Sequence, residues 1–134
     1  MIHSLGIDII EIERIRQALQ RWPRLAPRLF TERERAYCDR RADPAPCYAA
    51  RFAAKEATAK ALGRALRWHE VEIQADPSGR PHLSLTGDAA ELAQGSQLLL
   101  SLSHSRDYAV ACVVFATQQE SASSEENPPP GARA

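Results

Sequence analysis

The stretch from Arg51 to Gly63, RFAAKEATAKALG, leaves little conformational choice. Ala, Lys, Glu and Leu are strong helix formers, and Gly63 is placed to stop the helix as a left-handed C-cap. Phe52, Glu56, Ala59, Lys60 and Gly63 recur at i, i+4, i+7, i+8 and i+11, so they share one face. A carboxylate and an ammonium therefore stand one turn apart among small residues, and the alanines let a second backbone or a bulky ligand come close. On its own, such a pair is also what an ordinary solvated helix carries, worth about 0.2–0.5 kcal/mol.

The rest of the chain bounds what that helix serves. With 134 residues, 44% hydrophobic and 25% charged, the sequence reads as one soluble domain with a modest core. A net charge of 0 argues against a nucleic-acid partner. The arginines nevertheless crowd into the first half, which suits phosphates or an acidic partner. The three cysteines, Cys38, Cys47 and Cys112, have no CxxC spacing. That pattern predicts reduced thiols in a cytosol, with Cys112 in the core, in preference to a disulfide frame or a zinc site. No signal segment opens the chain, and no apolar run approaches the ~20 residues of a membrane span, so a cytoplasmic protein without membrane contact is expected.

In chain order, Ile2 to Ile10 reads as a strand interrupted by Asp8, which points away from the face of Ile7 and Ile9. A carboxylate there is either turned to water or held for chemistry. Glu11 to Trp22 carries Ile12, Ile15 and Leu19 at helical spacing, and Pro23 ends it. Thr31 and Glu34 form a capping box that opens a helix reaching about Cys38. The loop Asp43-Pro44-Ala45-Pro46 leads into the central helix, expected from about Cys47 to Leu62. Trp68 to Ala75 and Pro81 to Thr86 read as a hairpin around Asp76-Pro77-Ser78-Gly79. Gly87 to Gln94 is a short helix, and Leu98 to His104 and Tyr108 to Phe115 are the last two strands. Residues 117–134 are polar and proline-rich, with too little apolar content to fold, and are expected to be a disordered tail on a 1–116 domain. The expected class is α+β, a small antiparallel sheet packed with a long central helix.

Asp8, Glu56, Lys60 and His104 are the residues able to carry chemistry. Two carboxylates without a histidine cluster suit a hard, oxygen-preferring cation, and magnesium typically takes one or two carboxylates plus phosphates and water. Manganese has the same ligand preference. A lysine one turn away offsets charge on a phosphate oxygen or leaving group. Neither a G-x-x-x-x-G-K-[ST] loop nor a G-x-G-x-x-G turn is present. A lone histidine such as His104, at the join of two strands, is more usually a hydrogen-bonding turn residue.

Three blocks together resemble a known family. Gly6-Ile7-Asp8-Ile9-Ile10-Glu11-Ile12, then Arg51 to Ala57 with Lys60-Ala61-Leu62-Gly63, then Leu102-Ser103-His104-Ser105 are similar in order and spacing to the signature blocks of holo-acyl-carrier-protein synthases. These are the short, single-domain branch of the 4′-phosphopantetheinyl transferases, and the likeness covers about residues 1–116. It implies transfer of 4′-phosphopantetheine from coenzyme A to a serine of apo-acyl carrier protein, in support of fatty acid or polyketide synthesis. It further implies magnesium on Asp8 and Glu56, Lys60 at the leaving phosphate, and a homotrimer with its sites between subunits. Arg51 and His104 match positions holding the adenosine phosphates, with Ser105 and Gly63 nearby. Arg14, Arg21 and Arg24 match the surface that meets the carrier's acidic helix. Many members carry a basic cluster before the central helix that grips the 3′-phosphate; here Arg40 or Arg41 is left to do so. Two other readings compete: a non-catalytic module that grips such a ligand through arginines, and a structural trimer in which Glu56–Lys60 is a subunit contact.

Overall fold

The computed structural model describes residues 1–117. The chain runs β1 (Ile2–Glu11), α1 (Ile12–Arg21), α2 (Leu25–Leu29), α3 (Glu32–Asp39), α4 (Ala45–Leu62), a 3-10 turn (Trp68–Glu70), β2 (Val71–Ala75), β3 (Pro81–Leu85), α5 (Gly87–Leu92), β4 (Ser96–His104) and β5 (Tyr108–Thr117). The α+β expectation holds. β1, β5 and β4 form an antiparallel sheet in that order, and β2 with β3 forms a separate hairpin. The expected tail falls outside the described residues, except that β5 runs through Thr117.

α4 lies across the inner face of the three-stranded sheet. Ala53, Ala54, Ala57 and Ala61 of the helix are buried with Ala111 and Val113 of β5 and Ile73 of β2. Small residues make the approach unusually close. A Cβ on Gly6 would stand 1.9 Å from the Ala57 carbonyl oxygen, so only glycine fits there. The other side of α4 buries Tyr48 and Ala49 with Phe30, Leu29, Ile12 and Ile15. Thr31 caps α3 in the box expected of it, its hydroxyl accepting from the Glu34 amide while Glu34 accepts from Thr31.

β1 is built against the usual sense of a half-buried strand. Ser4, Gly6, Asp8 and Ile10 turn toward the helix, while Leu5, Ile7 and Ile9 stay 57–62% exposed on the outer face. Leu99 of β4, 50% exposed, joins that apolar face.

Four expectations are corrected. Ala45 and Pro46, expected in the loop, form the first turn of α4, where proline is tolerated and the Asp43 carboxylate accepts from the Ala45 amide. Trp68 to Glu70 is a 3-10 turn, not the start of β2, because the Trp68 ring stacks on Phe52 with centroids 5.5 Å apart and its carbonyl accepts from Lys55. Cys38 and Cys47 are bonded to each other, because the end of α3 and the first turn of α4 bring their Cα atoms to 5.4 Å. Cys112 is only half-buried: it pairs with Ile7 on the outer face of the sheet, where no layer covers it.

Candidate active site

Gly6 lets β1 settle on α4, and that contact brings Asp8, two residues on, beside the exposed edge of the helix. The Lys60 ammonium donates to Asp8 Oδ1 at 3.2 Å and to the Ile7 carbonyl at 3.0 Å. The Asp8 side chain is 16% exposed and that of Lys60 is 55% exposed, so the pair sits at the mouth of a cleft. Glu56, one turn before Lys60, lines with Asp8 a cavity of about 660 Å³ whose walls include Phe52, Leu25 and Leu29 and whose rim holds Arg14, Glu11 and Tyr108. The Glu56 carboxylate has no hydrogen bond or ion pair among the described residues, so it is free to take a ligand. The sequence-predicted trio of Asp8, Glu56 and Lys60 is thus assembled within one protomer.

Arg51 and His104 lie elsewhere. Arg51 and Glu56 are five positions apart, which turns them roughly 140° apart around the helix. Arg51 and His104 line a second cavity of about 290 Å³ with Arg41, Tyr37, Cys47 and Ser103. Arg51 is 5% exposed, and its guanidinium lies 4.3 Å from the Tyr37 ring centroid and donates to Cys47 Sγ at 3.2 Å. Its Nε finds no partner among the described residues. Burial pushes the Arg51 guanidinium below its ordinary value, with the Glu34 charge opposing. Arg41 reaches the same cavity, donating to the Tyr37 hydroxyl at 2.7 Å, whereas Arg40 does not line it.

The remaining predicted residues are dispersed. Gly63 caps α4 at φ 75°, its amide bonded to Ala59, with open space where a side chain would be. Ser105 closes the β4–β5 turn, its hydroxyl accepting from the Tyr108 amide at 3.2 Å. Arg21 lies over the Trp22 ring at 5.2 Å, and neither it nor Arg24 lines the cavity of Asp8 and Glu56.

A buried ion pair beneath the site escaped sequence reasoning. Lys55, 3% exposed, and Glu34, 0% exposed, meet at 2.7 Å. Lys55 also donates to the carbonyls of Trp68 at 2.8 Å and Val71 at 2.6 Å. Burial pulls the lysine below its ordinary value while the Glu34 carboxylate holds against it. Only the capping-box role of Glu34 had a local signature; its pairing with a lysine 21 residues away had none.

The donor set also bears on a metal. The described residues contain no group of three or more His, Cys, Asp or Glu side chains able to close around an ion. Asp8 and Glu56 offer oxygen alone, on one cavity, with room for further ligands. That fits magnesium and does not fit a closed zinc site.

Comparison with known proteins gives the family. Residues 4–113 match the family model of the 4′-phosphopantetheinyl transferase superfamily. A holo-[acyl-carrier-protein] synthase of Koribacter versatilis is 44% identical over 123 residues, spanning 86% of this chain and 98% of the relative. The crystal structure of a holo-(acyl-carrier-protein) synthase from Bacillus anthracis, in complex with CoA (3′,5′-ADP), superposes with a TM-score of 0.76 at 34% identity, covering 88% of this chain and 99% of that one. The ACPS–CoA complex from Chronobacterium ammoniagenes gives 0.75 at 30% identity, covering 87% and 98%. With a strand-borne aspartate set against a helix-borne glutamate and lysine, and with matches that span nearly the whole of each relative, the chain belongs to the 4′-phosphopantetheinyl transferase superfamily as an enzyme of its holo-[acyl-carrier-protein] synthase branch.

Proposed function

We propose that residues 1–116 transfer 4′-phosphopantetheine from coenzyme A to a serine of apo-acyl carrier protein, releasing adenosine 3′,5′-bisphosphate. The observation that carries this reading is the meeting of Asp8, Glu56 and Lys60 at one cleft mouth. Asp8 and Glu56 would hold magnesium, or manganese in its place, whose chemistry when bound is to offset charge on the pyrophosphate oxygens. Lys60 swings on a half-exposed stem, so its ammonium can leave Asp8 for the leaving phosphate and supply it with charge or a proton. The attacking serine gives its proton to Glu56 or to a water beside it. Phe52, Leu25 and Leu29 give the cleft an apolar wall that limits water around the reacting groups.

The separation of the two cavities supports assembly. Arg51, with Arg41 and His104, offers cationic and hydrogen-bonding groups for the adenosine phosphates, yet faces away from Glu56 in its own protomer. A homotrimer resolves this by setting the phosphate cavity of one copy against the carboxylates of the next. The exposed apolar face of Leu5, Ile7, Ile9 and Leu99 is a surface such an assembly would cover. Ser105 and Gly63 lie at the ends of β4 and α4 and frame the nucleotide. Arg14, on the rim, and Arg21 and Arg24 beyond it meet the acidic carrier protein, where charge mainly steers the encounter. The setting is cytoplasmic fatty acid synthesis; no helix among the described residues is long and apolar enough to cross a membrane.

The test is the intact mass of an apo-acyl carrier protein incubated with this protein, coenzyme A and magnesium, with a chelator control. One phosphopantetheine gained on the carrier's serine, and lost with chelator, is the expected result. No gain on several competent carriers would overturn the transferase and leave a binding module. Light scattering tests the trimer: a monomer at assay concentration would refute it.

A further inference from the structure

The Cys38–Cys47 bond sits beside the second cavity. Cys38 is 0% exposed, but Cys47 is 8% exposed and lines the cavity with Arg41, Arg51 and His104. Arg51 donates directly to Cys47 Sγ. The bond is not the only tie between α3 and α4, because the Tyr48 hydroxyl donates to Asp39 at 2.8 Å across the same junction. Opening it therefore changes the cavity wall without removing that second tie. Disulfides inside cells are uncommon and, when present, usually transient and redox-sensing.

We infer that Cys38–Cys47 is a thiol–disulfide modification site whose state sets how tightly the second cavity holds a nucleotide phosphate. This rests on the reading of that cavity as the adenosine-phosphate site. A small thiolate of the glutathione class enters and attacks Cys47 Sγ; the protein's sulfur–sulfur bond breaks, and its electron pair leaves on Cys38 sulfur, which takes up a proton. A second thiolate attacks the outer sulfur of the mixed disulfide, freeing Cys47 as a thiolate and releasing the oxidised small disulfide. Two electrons pass from two small thiols to the protein, and the reverse reaction restores the bond. The freed Cys47 sulfur lies against the Arg51 guanidinium, which favours its thiolate form. The resulting ion pair diverts the positive charge that Arg51 otherwise presents to an anion. In the bonded form the sulfur is neutral and that charge stays available. The oxidised protein binds the phosphate more tightly.

The experiment uses the full chain after treatment with oxidised glutathione or with dithiothreitol. Alkylation and intact mass count the free thiols: Cys112 alone in the oxidised protein and all three cysteines in the reduced one. Calorimetric titration with adenosine 3′,5′-bisphosphate then gives a Kd for each state. The reduced protein is expected to bind roughly three- to tenfold more weakly, the size of one compromised charge-assisted contact. Cys38→Ser, with its fold checked by circular dichroism, should bind like the reduced form after dithiothreitol and should not regain tight binding after oxidised glutathione, which can only leave a mixed disulfide on Cys47; Cys112→Ser should keep the response. Equal Kd values in the two states, or three reactive thiols after oxidation, would overturn the inference. So would failure to bind in either state; a mass gain on the carrier protein would then show that the transferase reading survives and only the cavity assignment falls.

Discussion

Replacing Lys55 by methionine removes a charge from the interior while keeping the length of the stem. In the native protein the ammonium meets three acceptors at 2.6–2.8 Å, one on Glu34 and two on the backbone. Glu34 in turn accepts from the amides of Thr31 at 3.0 Å and Ile73 at 3.2 Å. The variant leaves a carboxylate at 0% exposure with backbone donors alone, and it orphans the carbonyls of Trp68 and Val71. Breaking a buried pair from one side costs about 3–5 kcal/mol, and two abandoned carbonyls push the loss toward the upper figure. A small domain has roughly 5–15 kcal/mol in all, so a large share of its stability is at stake. The assay is urea unfolding followed by tryptophan fluorescence at pH 7 and one fixed protein concentration, since the stability of an assembly depends on concentration. With a slope of about 1–3 kcal/mol per molar urea, the midpoint should fall by more than roughly 1 M at an unchanged slope. A loss under about 1 kcal/mol would refute the reasoning, because it would mean that water already reaches the pair.

Gly6→Ala forces a methyl group into the Ala57 carbonyl; it should destabilise the chain by about 1–3 kcal/mol or more and cut turnover more than tenfold by shifting Asp8, read by unfolding and by the carrier mass assay. Unchanged turnover would show that β1 and α4 can part without cost to the site. Lys60→Ala should keep the fold and lower turnover by about 10²-fold or more, while Asp8→Ala and Glu56→Ala should abolish metal-dependent turnover; circular dichroism beside the mass assay separates chemistry from folding. Burial and the hydrogen bond to Asp39 raise the Tyr48 hydroxyl well above its ordinary value of 10.0. The unfolded chain therefore loses that proton first, and the stability Tyr48 contributes is whole below pH 10 and declines as pH rises beyond it. Tyr48→Phe should remove that alkaline decline, and an identical decline in the variant would assign it to other groups. Arg14→Glu should weaken carrier-protein binding more than coenzyme A binding in parallel titrations, and equal losses would take Arg14 off the docking surface.

How far the sequence revealed all this depended on whether the signal was local. Helix α4, its glycine stop and the capping box are written in neighbouring residues; the stop and the box formed as read, and α4 differs only in starting at Ala45. Asp8, Glu56 and Lys60 were legible because helical spacing fixes two of them and a charge in an isoleucine run exposes the third. The Lys55–Glu34 pair was not, since α4 carries alanines all around and its pattern does not say which lysine is inside. The cysteine bond was missed because spacing alone does not reveal that α3 and α4 turn back on each other at residues 40–44. Trp68 reads as strand by composition, and only its stacking on Phe52 decides otherwise.

The alternation along β1 has a consequence for how the protein tolerates change. Residues 4, 6 and 8 face the helix and residues 5, 7 and 9 face outward, so neighbouring positions answer to different demands. A saturation library across this strand should show a period-two record of survival. Variants at even positions would be lost through packing and turnover at any expression level. In the proposed trimer, variants at odd positions would be rescued by raising the protein's abundance, because mass action restores a weakened association but cannot restore a misplaced carboxylate.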